Sequence, residues 1–182
     1  MNFKRLIIFI TIIAFSLGLI SCNSARSMVN DRLNELNVGG DEEIADKNFQ
    51  KIIEALENKD KEVLKKMFST QALKDADDID GGIDYIMDFY KGKMKSKECG
   101  IGRQDLTNHG NKKSKLNCVY IVTTDEDTYR VFFIDQVVDN QNPDNIGIYM
   151  IQVIKESDKE KEFDGGGEKT RCAGIYRPDT LE

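Results

Sequence analysis

The sequence predicts an α+β domain, in which helices at the start of the domain pack on a curved antiparallel sheet of about five strands. Two observations lead to this fold class. Apolar residues recur at helical spacing between residues 41 and 92, and the apolar period changes to two beyond Lys93. Helices that precede a meander of strands are typical of α+β domains, because each layer must bury its apolar face against the other. Residues 41–178 are about the usual length for one such domain.

Three main helices are predicted in the first half of the domain. The first begins with Asp41 as a plausible N-cap and ends near Asn58. Its apolar face contains Ala45, Phe49, Ile52, Ile53 and Leu56. The second helix follows Asp60, and its buried stripe is predicted to contain Val63, Leu64, Met67 and Phe68. A further helical turn is predicted to start at Ser69 or Thr70. The third follows Asp80 and stops at Gly92, with Ile83, Ile86, Met87 and Tyr90 on one face.

Five strands are predicted after these helices. They cover residues 98–106, 119–124, 129–138, 146–154 and 169–176. Residues 125–127 read as a hairpin turn between the second and third strands. The segment 156–169 is rich in charges and glycines, so we expect a solvated loop there, because no strand could bury that many charges.

Several segments resemble known families. Residues 55–69 resemble the opening of nuclear transport factor 2-like domains. This superfold includes steroid isomerases and many binding modules. The chain also resembles a family of lipoproteins from Gram-positive anaerobes called domain of unknown function 5104, through FSTQAL (68–73), YIVTTDEDTY (120–129), NPDNIGIYMIQVIK (142–155) and AGIYRP (173–178). These resemblances imply a cone-shaped fold and an extracytoplasmic address, but they imply no activity.

A hollow under the concave side of the sheet would be the natural ligand site. If Glu126-Asp127 forms a two-residue loop, Asp135 pairs with Cys118 and Phe133 with Tyr120, all on one face. Tyr120, Phe133 and Asp135 are therefore the candidate ligand-binding residues. An isomerase-like enzyme could use Asp135 as a buried carboxylate together with a tyrosine donor. The alternative is an aspartate that is hydrogen-bonded within the sheet or faces solvent.

The first 22 residues resemble the leader of a bacterial lipoprotein. Lys4 and Arg5 precede an apolar run from Leu6 to Ile20, which is shorter than the roughly 20 residues that a membrane-spanning helix needs. The run ends in Leu-Ile-Ser-Cys, similar to a lipobox, which implies lipid on Cys22 and cleavage before it. An ordinary signal peptide that contains a cysteine is the alternative. We therefore predict a signal peptide at 1–21, a lipid-anchored tether at 22–40 and a short tail at 179–182.

The charge of the mature chain restricts its partners. Removal of residues 1–21 takes away Lys4 and Arg5, so the net charge moves from −6 to −8. An acidic chain argues against nucleic acid, which needs a basic surface. The membrane, reached through two acyl chains on Cys22, is the predicted partner. A small apolar ligand, another envelope protein or a second copy of the chain are further partners to consider.

The remaining cysteines and histidine favour no catalytic or metal site. Cys99, Cys118 and Cys172 either include one disulfide or are all reduced, and their spacing is unlike that of a zinc site. His109 is the single histidine and lies in a sequence typical of a hairpin tip, so we expect it to be exposed. A Ser-His-Asp or Cys-His arrangement then has no base.

Two short motifs are also interpreted as structural. The acidic loop 75–80 lacks the twelfth-position glutamate of a calcium-binding EF-hand, so we expect a capped, solvated turn. The glycines at 165–167 do not follow a strand into a helix and indicate a flexible loop, not a phosphate cradle. No cofactor is predicted.

The leading functional hypothesis is a lipid-anchored, extracytoplasmic binding or interaction domain that is not catalytic. The isomerase-like enzyme is the alternative, and an assembly or sensory accessory is a third.

Overall fold

A computed structural model describes residues 40–178 and confirms the α+β class. The helices are α1 (Asp41–Asn58), α2 (Lys61–Lys66), α3 (Thr70–Asp75), α4 (Ile79–Phe89) and α5 (Lys159–Glu162). The strands are β1 (Met94–Asn108), β2 (Asn111–Thr124), β3 (Thr128–Asp139), β4 (Gly147–Lys155) and β5 (Gly174–Ile175). The predicted signal peptide, Cys22, residues 22–39 of the predicted tether and the tail 179–182 lie outside the described residues. No helix within residues 40–178 is long and apolar enough to cross a membrane.

Side-chain caps set where three of the helices begin. Asp60, Ser69 and Asp78 accept hydrogen bonds from the backbone amides of Val63, Ala72 and Gly81 at 2.9 to 3.0 Å. Two of these caps agree with the predictions. The third predicted helix, α4, was expected to follow Asp80, but it begins at Ile79 with Asp78 as its cap, so Asp80 lies in its first turn. The N-cap of the first helix is Gly40, which has no side chain to cap the helix, so the prediction of Asp41 as N-cap was wrong.

The predicted stripe of the second helix was too wide. Leu64 is fully buried and Phe68 is 6% exposed, whereas Val63 is 41% exposed. Because α2 has only 6 residues, it turns a narrow face toward the core. The predicted apolar faces of α1 and α4 are confirmed, since their members are all buried.

The sheet is curved and open, with the strand order β1-β2-β3-β4-β5. β1 to β4 form an antiparallel meander. Register shifts occur in β1, in β2 between Ser114 and Lys115, and at the β3–β4 pairing beside Ile134 and Asp135. Bulges of this kind bend a sheet and increase its twist. We call the face that α1 covers the inner face, which carries Tyr120 and Phe133. The outer face carries Phe132 and Ile134.

The predicted pairing of β2 with β3 was wrong by two residues. Thr123 pairs with Thr128, so the turn contains four residues and not two, and Cys118 lies opposite Phe133 instead of Asp135. Thr124 fixes this wider turn, because its hydroxyl accepts hydrogen bonds from the amides of Glu126 and Asp127. A shift of two residues preserves the face of every side chain. The predicted inner-face group of Tyr120, Phe133 and Asp135 therefore remains together.

The end of the domain differs most from the prediction. The fifth strand has two residues instead of eight, and it pairs parallel to β4. The segment 156–169, expected to be a solvated loop, forms a 3₁₀ turn and α5, and it returns across the outer face of the sheet. Phe163 packs edge-on against Phe132, with ring centroids 5.5 Å apart, while the charged neighbours stay at the surface. Phe163 therefore anchors this charged segment to the outer face of the sheet.

Candidate functional site

The three predicted ligand-binding residues lie side by side in the core. Tyr120, Phe133 and Asp135 are each 0% exposed on the inner face. Phe49 of α1 stacks on Tyr120 with ring centroids 3.9 Å apart, and Tyr120 lies parallel to Phe133 at 6.1 Å. The helix layer thus rests directly on these residues, and aromatic packing occupies the space where a hollow was expected.

The polar groups of this cluster are engaged with α1. Oδ2 of Asp135 accepts a hydrogen bond from Nδ2 of Asn48 at 2.7 Å. The Tyr120 hydroxyl donates to Asp46 at 2.8 Å, and Asp46 also pairs with Lys97. Burial, and then the hydrogen bond to Asp46, raise the pKa of Tyr120. This arrangement favours a structural role for both residues over the isomerase-like alternative.

The outer face of the sheet carries a different kind of site. A pocket of about 280 Å³ lies there, between α3 and the chain that returns after α5. Lys115 of β2, Gln136 of β3 and Tyr149 of β4 line it side by side, and Ile134 also faces it. The bulges beside Lys115 and Tyr149 interrupt the regular alternation of the strands here. This outer-face pocket has a mixed polar and apolar lining, as small-ligand sites do.

Two cations face the outer-face pocket. Lys115 is half-buried, whereas Arg171 is exposed at the edge of the pocket on the returning chain, with its guanidinium carbon 5.9 Å from the centre of the Tyr149 ring. Neither cation forms an ion pair with a carboxylate of residues 40–178. Burial, and then the nearby charge of Arg171, lower the pKa of Lys115. The pocket therefore contains positive charge that the described part of the chain leaves uncompensated.

The amide and carboxylate groups of the pocket are mostly engaged. Gln136 donates through Nε2 to the carbonyls of Ser114 and Val138, so only its side-chain oxygen could bond to a ligand. Asn145 donates to Asp139, and Gln71 donates to Asp75. These bonds hold the walls in place without cancelling the two positive charges.

Asp164 organises the returning chain that positions Arg171. Its carboxylate accepts hydrogen bonds from the amides of Gly167, Lys169 and Thr170 and from the Thr170 hydroxyl. Burial raises the pKa of Asp164, but these hydrogen bonds outweigh it and lower the pKa overall. Gly166, at φ +73°, lies so close to the Phe132 ring that a Cβ would be 2.7 Å from it. The turn is thus pinned to the outer face.

A second, larger cleft of about 700 Å³ lies beside the first. Residues 169–178 form one wall, and residues 76–78 and Tyr85 of α4 form the other. One of its cations is compensated, because Arg177 pairs with Asp78 at 3.1 Å. Arg171 borders both clefts.

The sequence interpretation missed Lys115 and Arg171. Lys115 lies in a polar stretch before the apolar run of the second predicted strand, and Arg171 lies within residues 169–176, which were predicted to form a strand. No local pattern pairs two residues so far apart in sequence. Only the crossover from β4 to β5 brings them together.

Of the other candidate residues, Cys172 and the acidic loop border the clefts, and His109, Cys99 and Cys118 do not line them. His109 is exposed at the tip of the β1–β2 hairpin, as predicted. Cys99 is exposed, Cys118 is buried and Cys172 is half-buried at the second cleft, and all three are free thiols. The acidic loop is a capped turn, and residues 40–178 contain no cluster of three or more side chains that could hold a metal ion.

Comparison with known proteins identifies a family. A search of curated proteins finds no similar sequence. A family model matches residues 51–156, from the middle of α1 through β4 to Glu156. This range contains more than half of the chain, including Lys115, but it does not include Asn48, Phe49 or Arg171. The chain belongs to the family described as Domain of unknown function (DUF5104).

Proposed function

We propose that the protein is a lipid-anchored, extracytoplasmic binding domain without catalytic activity, and that the outer-face pocket is its ligand site. One observation carries the choice of site: the outer-face pocket contains two uncompensated cations beside an apolar floor, whereas the inner face is filled by packed aromatic rings. Ligand pockets combine an apolar lining with a few convergent polar groups in this way.

The anchor is proposed from the sequence. The Leu19-to-Cys22 motif after an apolar run of 15 residues is the basis for lipid on Cys22. Each buried CH₂ of an acyl chain contributes about 0.8 kcal/mol, so two chains hold a protein on a bilayer where one would do so only marginally. A domain held there would meet small molecules outside the cytoplasm. The nuclear transport factor 2-like relationship and a homodimer remain predictions.

A binding role fits the pocket better than catalysis does. The candidate acid, Asp135, lies on the opposite face of the sheet and accepts a hydrogen bond from Asn48. The outer-face pocket offers Lys115, Arg171 and Asp75 as charged groups, and Asp75 is engaged by Gln71. Two cations that hold a ligand, with no nucleophile and base in hydrogen-bond contact, suit retention of a molecule and not its conversion.

Native mass spectrometry of the detergent-extracted full chain tests the proposal. The wild-type protein made in bacterial cells is expected to carry a non-covalent small-molecule adduct, which disappears on denaturation. Gln71→Trp, at the rim of the pocket, should remove the adduct. Lys51→Trp, on an exposed position of α1, should keep it. A wild-type protein without any adduct, or an adduct that survives Gln71→Trp, would contradict the proposal.

A further inference from the structure

We propose that the outer-face pocket binds a small organic monocarboxylate, with the carboxylate between Lys115 and Arg171 and the apolar body against Ile134 and Tyr149. This inference rests on the proposed function and names the chemical class of its ligand.

The charge arrangement is the first argument. The charge of the exposed Arg171 disfavours the charged form of the half-buried Lys115. An anion between the two side chains would relieve this repulsion and supply the missing partner. Lys115 and Arg171 lack a carboxylate partner within residues 40–178, although the sequence contains more acidic than basic residues. The lowered pKa of Lys115 has the physical origin expected for such a site, namely burial and then the neighbouring guanidinium.

The shape of the guanidinium is the second argument. Arg171 lies over the Tyr149 ring, which restricts its orientation. A planar guanidinium held in this way presents two parallel N–H donors, and these match the two oxygens of a carboxylate. Lys115 adds a compact charge from the neighbouring strand wall.

The apolar floor favours an organic ligand over an inorganic anion. Ile134 belongs to the buried outer-face cluster with Phe132 and Met150, and Tyr149 packs against that cluster. Ile134 is only 2% exposed, so the apolar surface that a hydrocarbon body would bury is mainly that of the half-buried Tyr149 ring, which phosphate would leave in water. The volume of about 280 Å³ is close to the lower limit of roughly 300 Å³ for ligand pockets, so the ligand must be small.

The other walls favour a single anionic group. Asp75 brings a carboxylate to the same pocket, so Lys115, Arg171 and Asp75 together leave about one positive charge, which one carboxylate balances and a second negative charge would exceed. Gln136 offers only its oxygen, because its amide nitrogen already donates to two backbone carbonyls. The negative charge of Asp75 and the acceptor oxygen of Gln136 would both disfavour the second negative charge of a dicarboxylate or a phosphate dianion.

Benzoate is a suitable probe, and benzamide is its neutral counterpart of nearly the same shape. We would titrate the detergent-extracted full chain with benzoate, benzamide and inorganic phosphate at constant ionic strength, and follow binding by ligand-detected NMR. Benzoate should bind at least about tenfold more tightly than benzamide, since a hydrogen bond to a charged group contributes about 1.5 to 3 kcal/mol. Phosphate should bind more weakly than benzoate.

Variants assign the binding to this pocket. Lys115→Met and Arg171→Gln should each weaken benzoate binding by about tenfold. Lys112→Met removes the same charge from an exposed position of the same strand and should leave the affinity unchanged.

Four outcomes would overturn the inference: equal binding of benzamide and benzoate, tighter binding of phosphate, an equal loss in Lys112→Met, or no binding of any probe. The comparison of benzoate with benzamide uses the wild-type chain, so it does not depend on a variant that folds. A cellular adduct removed by Gln71→Trp would still support the proposed function if the monocarboxylate inference failed. If that adduct were absent but benzoate bound as expected, the result would count against the proposed function and not against the preference of the pocket for a monocarboxylate.

Discussion

The side-chain amide of Asn48 donates a hydrogen bond to Oδ2 of Asp135 across 2.7 Å, and it joins the middle of α1 to β3. Both residues are buried, with Asn48 6% exposed and Asp135 fully enclosed. A buried carboxylate is costly unless hydrogen bonds satisfy it. This contact therefore fixes how the first helix sits on the sheet, next to the stack of Phe49 on Tyr120.

Removal of this donor should destabilise the domain strongly. Asn48→Ala takes a hydrogen bond from a buried carboxylate, so we expect the free energy of unfolding to fall by about 2 to 3 kcal/mol. Urea unfolding followed by circular dichroism measures the loss. Lys51→Ala, exposed on the same helix, is the control and should change stability by less than about 0.5 kcal/mol. A loss in Asn48→Ala as small as in the control would show that this hydrogen bond does not matter.

Asp139 should make stability depend on pH. The residue is only 2% exposed, and this burial raises the pKa of its carboxylate. Hydrogen bonds from Asn145, Asn142 and Gln141, together with the ion pair to Lys113, outweigh the effect of burial. The pKa of Asp139 is therefore lowered below 3.8. A carboxylate with a lowered folded-state pKa stabilises the protein above its ordinary pKa, and this contribution is lost as the pH falls through the folded-state pKa.

Asp139→Asn should accordingly cost about 1 to 2 kcal/mol at pH 7, and the difference from wild type should shrink below about pH 4. Urea midpoints of both proteins between pH 7 and pH 2.5 measure it. Asp144→Asn, at a half-exposed carboxylate nearby, should show a much smaller difference. A constant difference between Asp139→Asn and wild type across this range would be inconsistent with the prediction.

Gly147 should tolerate no side chain. Its φ is +134°, and an added Cβ would lie 2.9 Å from the backbone N and Cα of Ser69, where the helical layer hydrogen-bonds to Ile148. Gly147→Ala must either strain the backbone or push the two segments apart, at a cost of about 2 kcal/mol or more. Gly100→Ala, which meets open space in β1, is the matched control. Equal melting temperatures for the two variants would disprove this explanation.

Lys115 should reduce stability when no ligand is bound. Because burial and Arg171 lower its pKa, the charged form is less favourable in the folded chain than in the unfolded one. Lys115→Met should therefore raise the free energy of unfolding of the ligand-free protein by about 0.5 kcal/mol, even though it weakens anion binding. Urea unfolding in a buffer without carboxylates tests this. A less stable variant would mean that Lys115 has a structural role.

The fold could be predicted from the sequence where the apolar pattern is regular. The faces of α1 and α4 follow from residues such as Phe49 and Ile86, and the alternation in β3 places Phe133 and Asp135 on one face. The register could not be predicted, because it depends on the width of one turn. The Thr124 hydroxyl accepts hydrogen bonds from the amides of Glu126 and Asp127 and so stabilises a turn of four residues, where a turn of two residues was expected.

The candidate site could not be predicted, because it depends on a long crossover. Residues 156–169 look solvated by composition, yet Phe163 and the Asp164-centred turn hold them on the outer face. Their path brings Arg171 to Lys115. Local charge patterns do not show that Lys115 and Arg171 come together. The residues that were predicted to bind a ligand, on the inner face, instead belong to the core.

Metabolic labelling with a palmitate analogue tests most directly whether this is a lipid-anchored protein. The full chain and its Cys22→Ala variant would be expressed in bacterial cells that process lipoproteins, and the mature amino terminus would be determined by mass spectrometry. We expect a labelled wild-type chain that begins at a lipid-modified Cys22, and an unlabelled variant. An unlabelled wild-type chain, or one that still begins with Met1, would contradict it.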